Sequence, residues 1–291
     1  FSKYQILANA VMIIWTLAII LPFILLFMSS ITDENTLVAN GYSFFPKKFS
    51  LASYSYIIKS GGQILKAYGV SIGVTVVGTL LNVLLSALMA YPLSVKNLPG
   101  RNVMMFFVFF TMLFNGGIVP SYIMWTGTFH IKDTIFAQLL PNFLLSAWNV
   151  MMIRTYFTTS IPDGLYEAAE IDGASQFTIF WKIVLPLGKP ILVTMGTFAG
   201  LAYWNDWTNG LYYIVKNTGL YNVQNLLNQM VQNIQFLTQS SNSNVTAAAS
   251  TIPATGIQMA IAFVAILPIM LIFPSFQKYY AKGIALGAVK G

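Results

Sequence analysis

The chain has no cysteine, which excludes disulfides, thiol nucleophiles and thiolate metal ligands. Charge is nearly as scarce: 8% of the 291 residues are Asp, Glu, Lys or Arg, one is His, and 56% are hydrophobic. A soluble domain carries roughly 25% charged residues, so too little polar material is present to cover a water-facing surface. Chemistry is missing as well. His130 has no second His or Cys with which to share a metal, no GxxxxGK phosphate loop followed by Ser or Thr occurs, and no paired acids or Ser/His set marks a membrane-embedded enzyme.

What is abundant is apolar length. A run of about 18 or more apolar residues spans the roughly 30 Å hydrocarbon core as a helix. Six runs qualify, at 6–28, 68–95, 103–125, 135–153, 183–203 and 256–276. The expected fold is an all-α integral membrane protein with six transmembrane helices, forming one domain over 1–291. Pro141 and Asn142 fall inside the fourth run and weaken it as a helix. The first run is too long for a signal-peptide core, and no small-residue cleavage site follows, so it reads as a retained helix. The chain opens on Phe1 rather than Met, which leaves open whether a native N-terminal tail precedes it.

Five of the six runs contain no Asp, Glu, Lys, Arg or His, and the fifth contains only Lys189. Ion-driven carriers and voltage sensors place ionisable groups inside the membrane, so those mechanisms lose support. A net charge of +7 does not require nucleic acid, because the basic residues follow the positive-inside rule. Lys96 and Arg101 lie between the second and third runs, and Lys278, Lys282 and Lys290 lie in the tail. Both termini and the segment near residue 163 are therefore expected on the cytoplasmic side. The polar stretch at about 204–255 is expected outside, with an amphipathic helix carrying Val223, Leu226, Leu227, Met230 and Val231 and a Ser/Asn-rich linker after it. Gly69 with Gly73, and Gly196 with Gly200, have the spacing of close helix packing.

The chain has eight Asp and Glu in all, and four of them fall within twelve positions, DGLYEAAEIDGA at 163–174. Ser160 offers an N-cap and Pro162 suits a first helical turn. Asp163, Glu167 and Glu170 then form one carboxylate stripe on a short helix at about 162–174. Gly173 suits the left-handed conformation that ends a helix, and Ser175 caps the next one. Acids in a first turn also simply complement the helix dipole, worth about 0.3 to 1 kcal/mol each. Alanines between acids, by contrast, make a face that another protein can approach closely.

Glu167-Ala168-Ala169, Asp172-Gly173-Ala174, Phe180, Ile183, Leu185-Pro186 and Pro190 resemble the EAA pattern of ABC importer permeases. The ending Lys282-Gly283-Ile284-Ala285-Leu286-Gly287-Ala288-Val289-Lys290-Gly291 resembles that of maltose-type sugar permeases, and Trp204-Asn205-Asp206 after the fifth run agrees. The resemblance implies a type I ABC transmembrane subunit of a bacterial cytoplasmic membrane, in contact with membrane lipid and importing a sugar, most simply an oligosaccharide. It implies a coupling helix between the fourth and fifth spans, with Glu167 in an ion pair with the ATPase and Ala168, Ala169, Asp172, Gly173 and Ala174 at the same junction. Gly287, Lys290 and Gly291 would touch the ATPase from the C-terminal tail. The implied partners are a second homologous permease, two ATP-binding subunits that hold ATP and Mg, and an extracytoplasmic solute-binding protein. This chain itself would bind no cofactor and catalyse no hydrolysis.

Trp204, Asn205, Trp207 and Asn209 are candidates for the sugar path, offering aromatic faces for rings and amides for hydroxyls. Trp and Tyr also form interfacial belts in any membrane protein. A permease for another solute class, or a passive channel without ATP, remains open at this level.

Overall fold

The computed structural model describes residues 3–59, 61–239 and 254–288. Among them helices form without strands, apart from an isolated bridge between Thr32 and Phe49. The chain divides into two compact units, one built from the part up to Lys66 with Val223–Leu271, the other from Ala67–Asn222 with Ile272 onward.

The first unit contains α1 (Lys3–Ser30), α2 (Glu34–Asn40), α3 (Ala52–Lys59), the start of α4 (Gly61–Ser94), and, further along the chain, an amphipathic helix at Val223–Gln239 and most of the last helix, Ala254–Ala288. Its acids serve helix ends. Asp33 pairs with Lys48 at 3.2 Å. The Glu34 carboxylate accepts from Thr255 N and Gly256 N, both at 2.9 Å, satisfying donors that a helix start leaves without partners. Gly256 must be small there, because a Cβ would meet Ser53 Oγ at 2.5 Å. Ile57, Ile257, Ala260 and Ile261 form the apolar centre of this unit.

In the second unit α4 continues to Ser94 and is followed by α5 (Arg101–Leu113), α6 (Ile118–Ile123), a π turn at Met124–Thr128, α7 (Phe136–Leu139) and α8 (Ala147–Ser160). Next come α9 (Asp163–Ile171), α10 (Gln176–Ile179), a π turn at Phe180–Val184, α11 (Leu185–Leu187), α12 (Lys189–Asn205) and α13 (Thr208–Tyr213). The helix at Val223–Gln239 is α14 and the last is α15.

Among the described residues three helices are long and apolar enough to cross a membrane, α1, α4 and the 255–272 part of α15, and there are up to five spans if each of two bent pairs counts as one. The six continuous runs read from the sequence are therefore not six straight helices. The 103–125 run bends by 110° between α5 and α6, where Asn115 Oδ1 accepts from Gly117 N at 2.9 Å and Gly117 takes φ 85°. The 135–153 run holds only α7 and the start of α8, separated by irregular backbone at 140–146. The 183–203 run bends by 79° at Gly188, where Pro190 has no N–H and its ring crowds the carbonyl four residues back. The sixth extends well past 276, since α15 remains helical to Ala288.

Irregular backbone is tolerated at membrane depth only when protein groups satisfy it. Three side chains do so at the 140–146 break. Tyr203 donates its hydroxyl to Leu139 O at 2.9 Å, Asn209 Nδ2 donates to Pro141 O at 3.1 Å, and Asn82 Nδ2 donates to Phe143 O at 2.6 Å. Asn149 then donates to Asn82 Oδ1 at 2.7 Å. An unsatisfied buried carbonyl costs about 1 to 3 kcal/mol, so these contacts allow the fourth run to break without exposing polar backbone.

Packing of the second unit relies on fit, because lipid tails are as apolar as its side chains. Gly78 lets the Tyr203 ring lie against α4, and Gly196 and Gly200 face Val83 and Thr79 at 3.3 Å from where a Cβ would stand. Gly69 and Gly73 meet nothing within 4 Å, so the close approach on α4 is at Gly78 rather than at the pair read from spacing.

Candidate functional site

The clustered acids lie on α9, a nine-residue helix. Pro162 precedes it at φ −64° and ψ 137° without a side-chain cap. Ser160 does not cap it but ends α8, with extended Ile161 between the two helices. At the other end Gly173 takes φ 77°, and Gly173 N and Ala174 N donate to Glu170 O at 3.0 Å and Ala169 O at 2.9 Å. This crossed pair of bonds satisfies the last carbonyls and turns the chain sharply. Ser175 Oγ then accepts from Thr178 N at 3.2 Å, capping α10.

One face of α9 is buried within the chain. Ala169 is 9% exposed and joins the core of Tyr91, Phe157, Ile179 and Phe180, with Tyr166 and Ala174 packed beside it. The Tyr91 ring lies 6.3 Å from Tyr166 and 5.5 Å from Phe180. Burial pushes the Tyr166 hydroxyl up to about 12, so it remains a neutral phenol across physiological pH. The opposite face carries Gly164, Glu167, Ala168 and Ile171, all exposed. Ile171 is 86% exposed, a large apolar group with nothing from its own chain over it.

The carboxylate stripe divides between these faces. Asp163 Oδ2 pairs with Lys96 Nζ at 2.6 Å, an exposed contact of a kind worth about 0 to 1 kcal/mol. Glu170 Oε1 accepts from Gln176 Nε2 at 2.7 Å, and Gln176 Oε1 in turn accepts from the Tyr91 hydroxyl at 2.5 Å. Glu167 and Asp172 are exposed and have no hydrogen-bond or ion-pair partner among the described residues. Of the residues read as one junction, Glu167, Ala168, Asp172 and Gly173 are thus presented outward, Ala169 is withdrawn into the core, and Ala174 is half-buried.

The carbonyl of Leu93, at the end of α4, accepts from Arg101 Nε at 3.0 Å and from Arg154 Nε at 3.2 Å. Two cations at a helix C-terminus complement its dipole. Their mutual repulsion adds to burial in lowering the Arg154 pKa. Beyond α9 the chain passes through the π turn to Gly188, where a Cβ would stand 2.5 Å from Phe157 Cε1.

The aromatic and amide candidates after α12 separate in the same way. Trp204 is 7% exposed with its ring 6.3 Å from Tyr68, and Asn209 is 1% exposed and bonded to Pro141 O. Both belong to the packing. Asn205 is exposed and Trp207 is 44% exposed, leaving them as the accessible pair. Asp206, 6% exposed, holds the turn into α13: its Oδ1 accepts from Thr208 N at 3.0 Å and Thr208 Oγ1 at 2.7 Å. Gly287 is part of α15, whereas Lys290 and Gly291 lie outside the described residues. The Ser/Asn-rich linker expected after α14 also lies outside them.

Sequence reasoning missed the contacts that hold α9. Gln176 and Tyr91 carry no motif, and their only signal was a polar residue next to a cap and a tyrosine near a helix end. Asn82, an amide in an otherwise apolar run, was the clearer overlooked signal.

Residues 67–286 match the family of the binding-protein-dependent transport system inner membrane component. Protein LplC of Bacillus subtilis (strain 168) is 36% identical over 272 residues, covering 94% of this chain and 90% of that protein. The polygalacturonan/rhamnogalacturonan transport system permease protein YtcP of the same organism is also 36% identical, over 288 residues, covering 99% and 98%. A solved chain from a bacterial ABC transporter involved in the import of the acidic polysaccharide alginate superposes with a TM-score of 0.80 at 26% identity, covering 96% of this chain and 99% of that one.

Proposed function

The chain belongs to the family of binding-protein-dependent transport system inner membrane components, and from this we propose that it is the permease subunit of an ATP-driven importer of a carbohydrate, most simply an oligosaccharide. The solute arrives on an extracytoplasmic binding protein and crosses through alternating inward-open and outward-open states. Energy enters from two ATP-binding subunits, which hold ATP and Mg, and a second homologous permease completes the path.

The observation that carries this reading is the outward face of α9, where Glu167, Ala168 and Ile171 stand exposed on a helix whose other face is fixed in the core. Small Ala168 and Gly164 allow a close approach, Ile171 offers apolar area, and Glu167 offers a charge whose pairing with a basic residue sets orientation. α9 then acts as the coupling helix on the cytoplasmic side, with both termini on that side. ATP-driven closure of the partner shifts the populations of the two states by displacing α9. The bend at Gly188 is where α12 takes up that displacement. Gly287, Lys290 and Gly291 form a second contact with the ATPase. On the outer side Trp207 and Asn205 are the groups available to a sugar, a ring face and an amide.

Reconstitution of the chain with its partner permease, ATPase and binding protein tests the reading. ATP-dependent uptake of the binding protein's carbohydrate is expected. Solute movement by the permeases with no ATPase present would overturn it and favour a channel.

A further inference from the structure

We propose that Gln176 and Lys96 are positioning residues that fix the rotation of α9 from within this chain, so that Glu167, Ala168 and Ile171 are turned outward before any partner binds. The proposal rests on reading α9 as the element that the ATPase engages.

α9 is nine residues long, too short to hold a helical conformation or a direction by itself. It is held at three places. Its first residue, Asp163, pairs with Lys96 at 2.6 Å. Its middle inserts Tyr166 and Ala169 beside Tyr91. Its last turn is tied through Glu170 and Gln176 to the Tyr91 hydroxyl, at 2.7 and 2.5 Å. Tyr91 lies in the last turn of α4 and Lys96 two residues beyond its end, so both ties lead to the same helix terminus. Asp163 and Glu170 are about 10 Å apart along the axis at 1.5 Å per residue. Both ties lie off the axis on one side of the helix, so turning α9 stretches both, and their separation along the axis also resists tilting.

Each tie is weak alone. The ion pair is exposed and screened by salt. Gln176, however, uses both ends of its amide, accepting from the phenol and donating to the carboxylate. A glutamate at this position lacks the donor and an aliphatic residue lacks both groups. Were α9 to rotate, Asp163 or Glu170 would replace Glu167 on the outward face, and the charge offered to a partner would be misplaced. Held in this way, α9 and the end of α4 move together.

The absence of cysteine makes the test clean for this chain. Lys96→Cys and Asp163→Cys are introduced and joined with a short bifunctional maleimide, since an ion pair bridged by a long lysine side chain is too wide for a disulfide. The readouts are assembly of the complex and its ATP turnover relative to free ATPase subunits, with ATP as the only probe. The unbridged cysteine pair, which lacks the ion pair, is expected to lose turnover, and the bridged complex is expected to match wild type. Gln176→Ala is expected to assemble but to lose about fivefold in turnover, and bridging 96 to 163 in that variant is expected to restore it. Should Gln176→Ala fail to fold, Tyr91→Phe removes only the hydroxyl and carries the same expectation. A bridged complex that assembles but stops turning over ATP would overturn the proposal, because the joint would then have to open during the cycle. Wild-type turnover in both Gln176→Ala and Tyr91→Phe would overturn it as well. If the wild-type complex turns over ATP no differently from free ATPase subunits, the coupling reading itself fails, before any variant is compared.

Discussion

Gly188 and Phe157 meet where α11 turns into α12, with the bare α-carbon set so close to the ring that a Cβ would stand 2.5 Å from Cε1 and 2.9 Å from Val184 O. Phe157 is fully buried in the same core as Ala169 and Phe180. The glycine therefore lets the bent pair of helices pack on α8. Gly188→Ala is expected to destabilise the folded protein by about 1 to 3 kcal/mol, the usual cost of overpacking. Adding Phe157→Leu should recover part of this, as read by thermal melting of the purified protein. Equal melting temperatures for wild type and the single variant would show that the contact relaxes freely.

Two glycines on α4 give a paired comparison. Gly78→Ala places a methyl group against the Tyr203 ring, whereas Gly69→Ala points into open space. Melting is expected to fall for the first and to hold or rise for the second, by up to about 1 kcal/mol of helix propensity. In an assembled complex, a large effect of Gly69→Ala would instead identify Gly69 as a contact with another chain.

Asn209 and Trp207 were indistinguishable in the sequence as sugar-path candidates, and the structure separates them. Asn209→Ala leaves Pro141 O buried without its donor, with an expected cost of about 1 to 3 kcal/mol in stability. Trp207→Ala should leave stability nearly unchanged and alter uptake. Measuring melting and uptake on both variants checks the division. A stable Asn209→Ala variant with impaired uptake would return Asn209 to the solute path.

The Asp133 carboxylate accepts from Val215 N and Lys216 N at 2.7 Å and from Asn217 N at 3.2 Å. The Lys216 and Val215 amides hold its pKa below the ordinary carboxylate value. A depressed folded pKa means the contribution is present above the unfolded value and is lost as pH falls through the folded one. Wild type and Asp133→Ala are expected to differ in melting at neutral pH and to converge in acid below the ordinary carboxylate range. A difference that does not narrow in acid would contradict the assignment.

Much of the fold was legible in composition, because a chain this poor in charge has few options besides a helical membrane bundle. The clustered acids and Gly173 also marked α9 and its C-terminal end, and Ser175 the start of α10, since left-handed termini and caps are local chemistry, whereas the N-cap read at Ser160 is not formed. The breaks were harder to read. Hydropathy sees only that 135–153 is apolar, whereas its interruption depends on Tyr203, Asn82 and Asn209 reaching from distant positions to take its carbonyls. Local reading likewise placed Asp163, Glu167 and Glu170 on one stripe but could not show that Lys96 and Gln176 occupy the outer two. Ile171 carries no signal of its own in the sequence, and only the packing of Ala169 and Tyr166 into the core shows that it faces away.

The central claim is that the ATPase grips α9 through its outward face, and Glu167→Lys tests it most directly. Uptake and co-purification of the ATPase are measured in one reconstituted complex, with membrane insertion as the control. Reversing this charge is predicted to leave insertion intact, weaken assembly and abolish ATP-driven uptake. Wild-type uptake by a fully assembled Glu167→Lys complex would contradict the account.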